Sequence, residues 1–215
     1  GGYYNLRAIK TFKIKSLNKK VQNQRKDQKE LGKFIAILIG VDEYDDFPNL
    51  QTPLKDIKVL GEILKNKFNF EIVNLINPSR KDITSSLSKL EKTMLKNDSL
   101  LIYFAGHGIL KDDYGYWLPK NAEQDDDSYW ISNDYVTKKI KSMKANNILV
   151  IADYCYSGSL TRGIKSIDDQ RIHPVDTYLN TKSRMVISSG GIKPVMDGGG
   201  GGHSVFARML INKLK

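Results

Sequence analysis

Cysteine is almost absent: the chain of 215 residues contains one, Cys155. That excludes an internal disulfide and every metal motif that needs clustered thiolates. A lone thiol suits a reducing compartment, so the expected location is cytoplasmic. Long apolar runs are missing too. The longest, residues 34–41, is strand-sized and far short of the ~20 residues a helical membrane span needs. No secretory signal is visible. The chain begins Gly1-Gly2 without a methionine and ends at Lys215 just after a helical pattern. The expectation is therefore an excised region of a longer polypeptide, with regulatory domains or an activator outside it.

Acidic residues are scarce at one end only. Residues 1–33 hold ten Lys/Arg against two Asp/Glu, whereas residues 34–215 hold 24 against 22. The formal net charge of +10 thus belongs mainly to a basic arm or leading helix, residues 1–33. Such an arm suits an anionic partner. No aromatic-interleaved basic platform accompanies it, which argues against nucleic acid as a partner of the folded domain, residues 34–215. Hydrophobic content of 40% and charged content of 27% are those of an ordinary globular protein, long enough for one well-filled domain.

Regular patterning begins at Phe34. Residues 34–41 form a continuous apolar run, as in a strand buried on both faces. Acidic residues Asp42, Glu43, Asp45 and Asp46 mark a turn, and Pro53 opens a helix over 53–67 with Ile57, Leu60, Ile63 and Leu64 on one stripe. Further strands are expected at 70–76, 99–105, 147–152 and 184–189, with a hairpin around Tyr116-Trp117-Leu118. Helices are expected at 79–95, 133–143 and 204–214, the last capped by Ser204. Alternation of this kind predicts an α/β fold: a mostly parallel central sheet flanked by helices on both faces.

Sites in such sheets form outside the carboxyl ends of the strands. Two expected strands run into reactive residues there, His107 and Cys155, each in a glycine-containing turn: Gly106 and Gly108 beside the histidine, Gly158 past the cysteine. A thiol is mostly protonated at neutral pH and needs a nearby imidazole to become a useful nucleophile. If the strands are neighbours, His107 and Cys155 form a catalytic dyad, with the backbone N–H groups of Gly108 and Cys155 as an oxyanion hole.

Tyr103-Phe104-Ala105-Gly106-His107-Gly108 and Asp153-Tyr154-Cys155-Tyr156-Ser157-Gly158 resemble the two active-site motifs of the caspase-like superfamily. They are closer to metacaspases, paracaspases and bacterial relatives than to animal caspases. The similarity runs from Phe34 to Lys215 and includes Ile39-Gly40-Val41 and the glycine-rich segment before the last helix. His107 precedes Cys155 by 48 positions (155 less 107), which matches the about 50 residues known for caspases. The resemblance implies a caspase-hemoglobinase fold and a cysteine endopeptidase acting through a Cys/His dyad.

The resemblance also bears on specificity. Animal caspases carry Gln-Ala-Cys at the nucleophile and cleave after aspartate; here Asp153 stands two residues before Cys155. Metacaspases and paracaspases have Asp at this place, and Asp56 of Leu54-Lys55-Asp56 matches their second pocket acid. The implied substrates are proteins or peptides with Arg or Lys before the scissile bond, because guanidinium pairs with carboxylates in a fork. Asp197 is a candidate third acid at the rim, and Ser188 and Ser189 are candidates to offer backbone groups to an extended substrate. The structural alternatives are a helix first-turn acid for Asp56 and a strand-end cap for Asp153.

The remaining motifs point to less. Gly198–Gly202 lacks the Gly-Lys-Ser/Thr ending of a phosphate loop and reads as a substrate-side loop. His173 and His203 have no partner at metal spacing and read as surface residues, and no metal site is expected. Asp125-Asp126-Asp127 with Glu123 reads as a solvated turn, with calcium activation as the alternative. The segment 157–182 carries Arg162, Lys165, Arg171 and Lys182, where an enzyme cutting after basic residues would process itself. Two other classes compete: a catalytically silent caspase-like scaffold, and a redox-sensing thiol protein. The second is weakened by the lack of a resolving cysteine.

Overall fold

The apolar run at Phe34 and the four strands expected after it assemble into one sheet. A computed structural model describes residues 32–112, 114–156, 183–189 and 202–215. Among them are strands β1 (Phe34–Gly40), β2 (Glu71–Ile76), β3 (Ser99–Lys111), β4 (Tyr114–Trp117), β5 (Ile131–Ser132), β6 (Asn147–Tyr156) and β7 (Ser183–Ser188). The helices are α1 (Pro53–Phe68), α2 (Arg80–Thr93), α3 (Asn133–Ser142) and α4 (Val205–Leu214). The arm before residue 32, the segment 157–182, Gly158 and Asp197 lie outside the described residues.

Strands β2, β1, β3, β6 and β7 lie side by side in that order, every pair parallel. Among the described strands only β4 and β5 are antiparallel, attached to the far end of β3. The mostly parallel sheet expected from the alternation of strands and helices is therefore the observed one. Alternate residues of each central strand serve opposite faces, as the period of a strand requires. On one face Ile37, Ile39, Leu100, Ile102, Phe104, Ile148 and Val150 pack with Ile83 and Leu87 of α2 and Val136 and Ile140 of α3. On the other, Ala36, Leu38, Leu101, Tyr103, Leu149 and Ile151 pack with Ile57, Leu60 and Leu64 of α1 and Phe206 and Leu210 of α4. A sheet covered on both sides explains why its strands read as unbroken apolar runs.

The helix ends follow local chemistry. Ser79 and Asp82 form a reciprocal capping box on α2. Ser132 and Ser204 cap α3 and α4 by accepting the amides of Tyr135 and Ala207. Asn69, at φ 54°, ends α1 in the left-handed conformation that asparagine tolerates.

The structure corrects one part of the strand reading. His107 and Cys155 do not stand past strand ends in glycine turns; both lie within strands, because β3 continues to Lys111 and β6 to Tyr156. Beyond Ala105, which pairs with the last residue of β1, the same edge of β3 is taken up by β4 from Gly108 onward. Neither Gly106 nor Gly108 has a positive φ. Their lack of a side chain is a matter of space: a Cβ on Gly106 would stand 2.7 Å from the Tyr44 hydroxyl oxygen, and one on Gly108 2.7 Å from the Tyr154 ring.

Candidate functional site

The change of partner along β3 creates the first half of the site. Between the end of β1 and the start of β4, that edge of β3 at Gly106 and His107 is paired with no strand among the described residues. The chain after β1 fills that place. The Tyr44 hydroxyl accepts the His107 amide at 2.7 Å, and Leu118 donates its amide to the His107 carbonyl at 3.0 Å. The imidazole lies 4.7 Å, centroid to centroid, from the Tyr44 ring and 6.3 Å from Phe47. Its Nε2 is 2.8 Å from the carbonyl oxygen of Pro48. A carbonyl only accepts, so Nε2 carries the hydrogen and the neutral ring has its lone pair on the buried Nδ1.

The loop that supplies Tyr44, Phe47 and Pro48 is itself pinned. Asn77, at φ 45°, accepts the amides of Asp42 and Glu43 on its side-chain oxygen at 2.9 and 3.2 Å. Asn49 accepts the Tyr44 amide at 3.0 Å, and Leu50 donates back to the Asp42 carbonyl at 2.9 Å. Part of the acidic turn of the sequence is therefore the frame of a histidine.

The second half of the site lies on β6. In the parallel register of β3 and β6, His107 and Cys155 are Cα partners, with Ala105 opposite Asp153 and Gly108 opposite Tyr156. Adjacent strands stand about 4.8 Å apart, so positions 48 residues apart in sequence become nearest neighbours across the ladder.

Two of the three acids singled out in the sequence, Asp56 and Asp153, lie together, joined through Ser204. Asp153, 5% exposed, accepts three hydroxyls: Tyr103 at 2.9 Å and Ser204 at 2.6 Å on Oδ2, and Ser189 at 2.7 Å on Oδ1. Burial pushes its carboxyl up, against the pull of the Ser204, Ser189 and Tyr103 hydrogen bonds. Asp56, 1% exposed, accepts His203 Nδ1 at 2.6 Å on Oδ1 and the Ser204 amide at 3.2 Å on Oδ2. Burial pushes Asp56 up to about 6; the His203 and Ser204 hydrogen bonds pull it down and the neighbouring Asp153 adds to the rise. Ser204 touches both carboxylates, so the start of α4 closes the acid pair from one side.

The remaining candidates are placed as follows. Ser188 pairs with Ala152 in the ladder of β6 and β7. The amide of Ser189 is already donated to the Ala152 carbonyl at 2.9 Å, and its hydroxyl belongs to Asp153. His203, read as a surface residue, is instead a partner of Asp56 with its side chain 22% exposed. In the acidic stretch, Asp126 accepts the Ser128 amide and Asp127 pairs with Lys111. No group of three or more metal-ligating side chains occurs among the described residues, and no helix there is long and apolar enough to cross a membrane.

Tyr44, Pro48, Tyr103, Ser204 and His203 escaped sequence reading as site residues. Pro48 acts through its carbonyl, which leaves no side-chain signature. Tyr103 and Ser204 had a signal: both fall within or beside segments already marked, the histidine motif and the last helix cap.

A family model described as the caspase domain matches residues 33–215. The human mucosa-associated lymphoid tissue lymphoma translocation protein 1 is 27% identical over 101 residues, 47% of this chain and 12% of that protein. Metacaspase-7 of Arabidopsis thaliana is 24% identical over 196 residues, 81% of this chain and 45% of the relative. The chain thus spans less than half the length of these curated relatives. The crystal structure of a Geobacter sulfurreducens protein superposes with a TM-score of 0.59 at 16% identity, covering 84% of this chain and 81% of that one. That likeness is one of fold.

Proposed function

This chain belongs to the caspase-domain family, and from that premise we propose that it is a cysteine endopeptidase with His107 and Cys155 as its dyad, cutting after arginine or lysine. The observation that carries the reading is the register of β3 and β6, in which His107 and Cys155 are direct partners.

In this reading His107 takes the thiol proton of Cys155, and sulfur bonds to the carbonyl carbon of the substrate. The backbone N–H groups of Gly108 and Cys155 hold the oxygen as it gains charge. The carbon–nitrogen bond then breaks, the imidazolium gives its proton to the departing amine, and His107 activates the water that frees the acyl group. The Pro48 carbonyl supports this cycle by holding Nε2–H at 2.8 Å, which keeps the lone pair on Nδ1. Asp56 and Asp153 form the acidic base of the pocket for the residue before the cut. Burial disfavours their ionised forms, so an incoming guanidinium or ammonium supplies the missing counter-charge.

A panel of fluorogenic peptides with Arg, Lys or Asp before the cut, with and without calcium, tests both parts. The expected result is cleavage after Arg and Lys, abolished by Cys155→Ala and lowered at least about 1000-fold by His107→Ala. A labelled chloromethylketone ending in Arg is expected to mark Cys155. Preference for Asp would overturn the pocket and leave the dyad; no Cys155-dependent labelling of folded protein would favour the scaffold.

A further inference from the structure

Asp56 and Asp153 differ in what already occupies them. A carboxylate has about four acceptor positions. Asp153 spends three on neutral hydroxyls held by β3, by the residue after β7 and by the cap of α4. Asp56 has one backbone amide, from Ser204, and one side-chain donor, His203, at 2.6 Å. The Ser204 amide is anchored at a helix cap whose hydroxyl also binds Asp153. Among the described residues the imidazole has no comparable anchor: it follows Gly202, at φ 78°, and is 22% exposed over a carboxylate that is 1% exposed. It is the solvent-side cover of the deeper acid.

We propose that His203 is a specificity-determining residue that acts as an internal competitor, occupying the position on Asp56 that a substrate's basic side chain must take. The inference rests on the basic-pocket reading and adds how that pocket is gated. A basic side chain enters by displacing an imidazole, so the pocket rewards a ligand that replaces the His203 hydrogen bond and also supplies charge. Arginine meets that demand with a fork of N–H donors.

Charges of both signs stand at the gate: Asp56 beneath the imidazole, and the Lys55 ammonium 3.9 Å from where a Cβ on Gly202 would stand.

Calorimetric titration with benzamidine, a mimic of the arginine end, separates the possibilities because it needs no turnover. The proteins are wild type, His203→Ala, His203→Gln and Asp56→Asn, all at one neutral pH. The expected result is that His203→Ala binds roughly threefold to tenfold tighter than wild type. His203→Gln, which keeps a side-chain donor at that position, should gain less than His203→Ala does. The KM for an Arg peptide should fall in His203→Ala by more than kcat changes. Equal or weaker benzamidine binding by His203→Ala would overturn the competitor role and leave the pocket standing. Binding that Asp56→Asn does not weaken, or no binding together with no cleavage after Arg, would remove the basic pocket itself and the gate with it.

Discussion

The Ser204 hydroxyl joins a helix end to the acid pair: it accepts the Ala207 amide at 2.9 Å and donates to Asp153 at 2.6 Å. Removing it does two kinds of damage. A lost serine cap costs ~1 kcal/mol, and a buried acceptor stripped of a donor costs about 1–3 kcal/mol. Ser204→Ala is therefore expected to lower stability by about 2–4 kcal/mol, measured as a reduced urea midpoint with an unchanged slope. Asp56 predicts a pH effect of definite sign. Its folded value of about 6 lies above the unfolded 3.8, so between these limits the native state binds more protons and stability falls as pH rises. Taking about 1.4 kcal/mol per unit, the loss is up to about 3 kcal/mol and is complete above the folded value. Urea unfolding at pH 4 and pH 7 should show Asp56→Asn gaining on wild type by up to that amount; a constant difference would refute the shift. The two acids were visible in the sequence through the motifs around them. His203 was not, because its partner lies 147 positions away and no local pattern connects the two.

At the scale of elements, the decisive one is β3, expected to stop at residue 105 and in fact running to Lys111. Glycines at 106 and 108 suggested a turn, since glycine is most often read as backbone freedom. Here they are extended residues flanked by aromatic groups, and the strand continues because β4 takes over the edge that β1 leaves. Gly108→Ala tests this. Its Cβ would stand 2.7 Å from Tyr154 Cδ2 and Cγ and 3.0 Å from Tyr154 Cβ, and that ring is buried. Overpacking of this kind costs about 1–3 kcal/mol, so thermal unfolding should occur several degrees lower than in wild type. A variant as stable as wild type would mean that the ring yields freely. By contrast, α1 to α4 begin and end within a residue or two of the ranges expected from their apolar stripes and from the Pro53 and Ser204 start signals, which are local chemistry.

For the whole molecule, the five-stranded parallel run sets which residues meet. Each crossover returns the chain to the same end of the sheet, so the segments after β1 and within the far ends of β3 and β6 converge on one rim. If the rim is a peptidase centre for basic residues, the protein itself offers substrates: Arg162, Lys165, Arg171 and Lys182 all follow Cys155 before β7 begins. Intact-mass measurement over a timed incubation is expected to show cleavage after one of these in wild type and none in Cys155→Ala. Identical masses in the two would reject self-processing.

The order of apolar runs and helical stripes was enough to determine a parallel, two-sided α/β sheet, because burial on both faces and short-range periodicity are written along the chain. The candidates for the reactive residues, His107 and Cys155, likewise sit in short recognisable motifs. Only the tertiary structure decided that His107 lies opposite Cys155, that a proline carbonyl steers the imidazole, and that His203 covers Asp56. Register, backbone acceptors and contacts between distant segments arise from packing the whole chain, and no stretch of it encodes them alone.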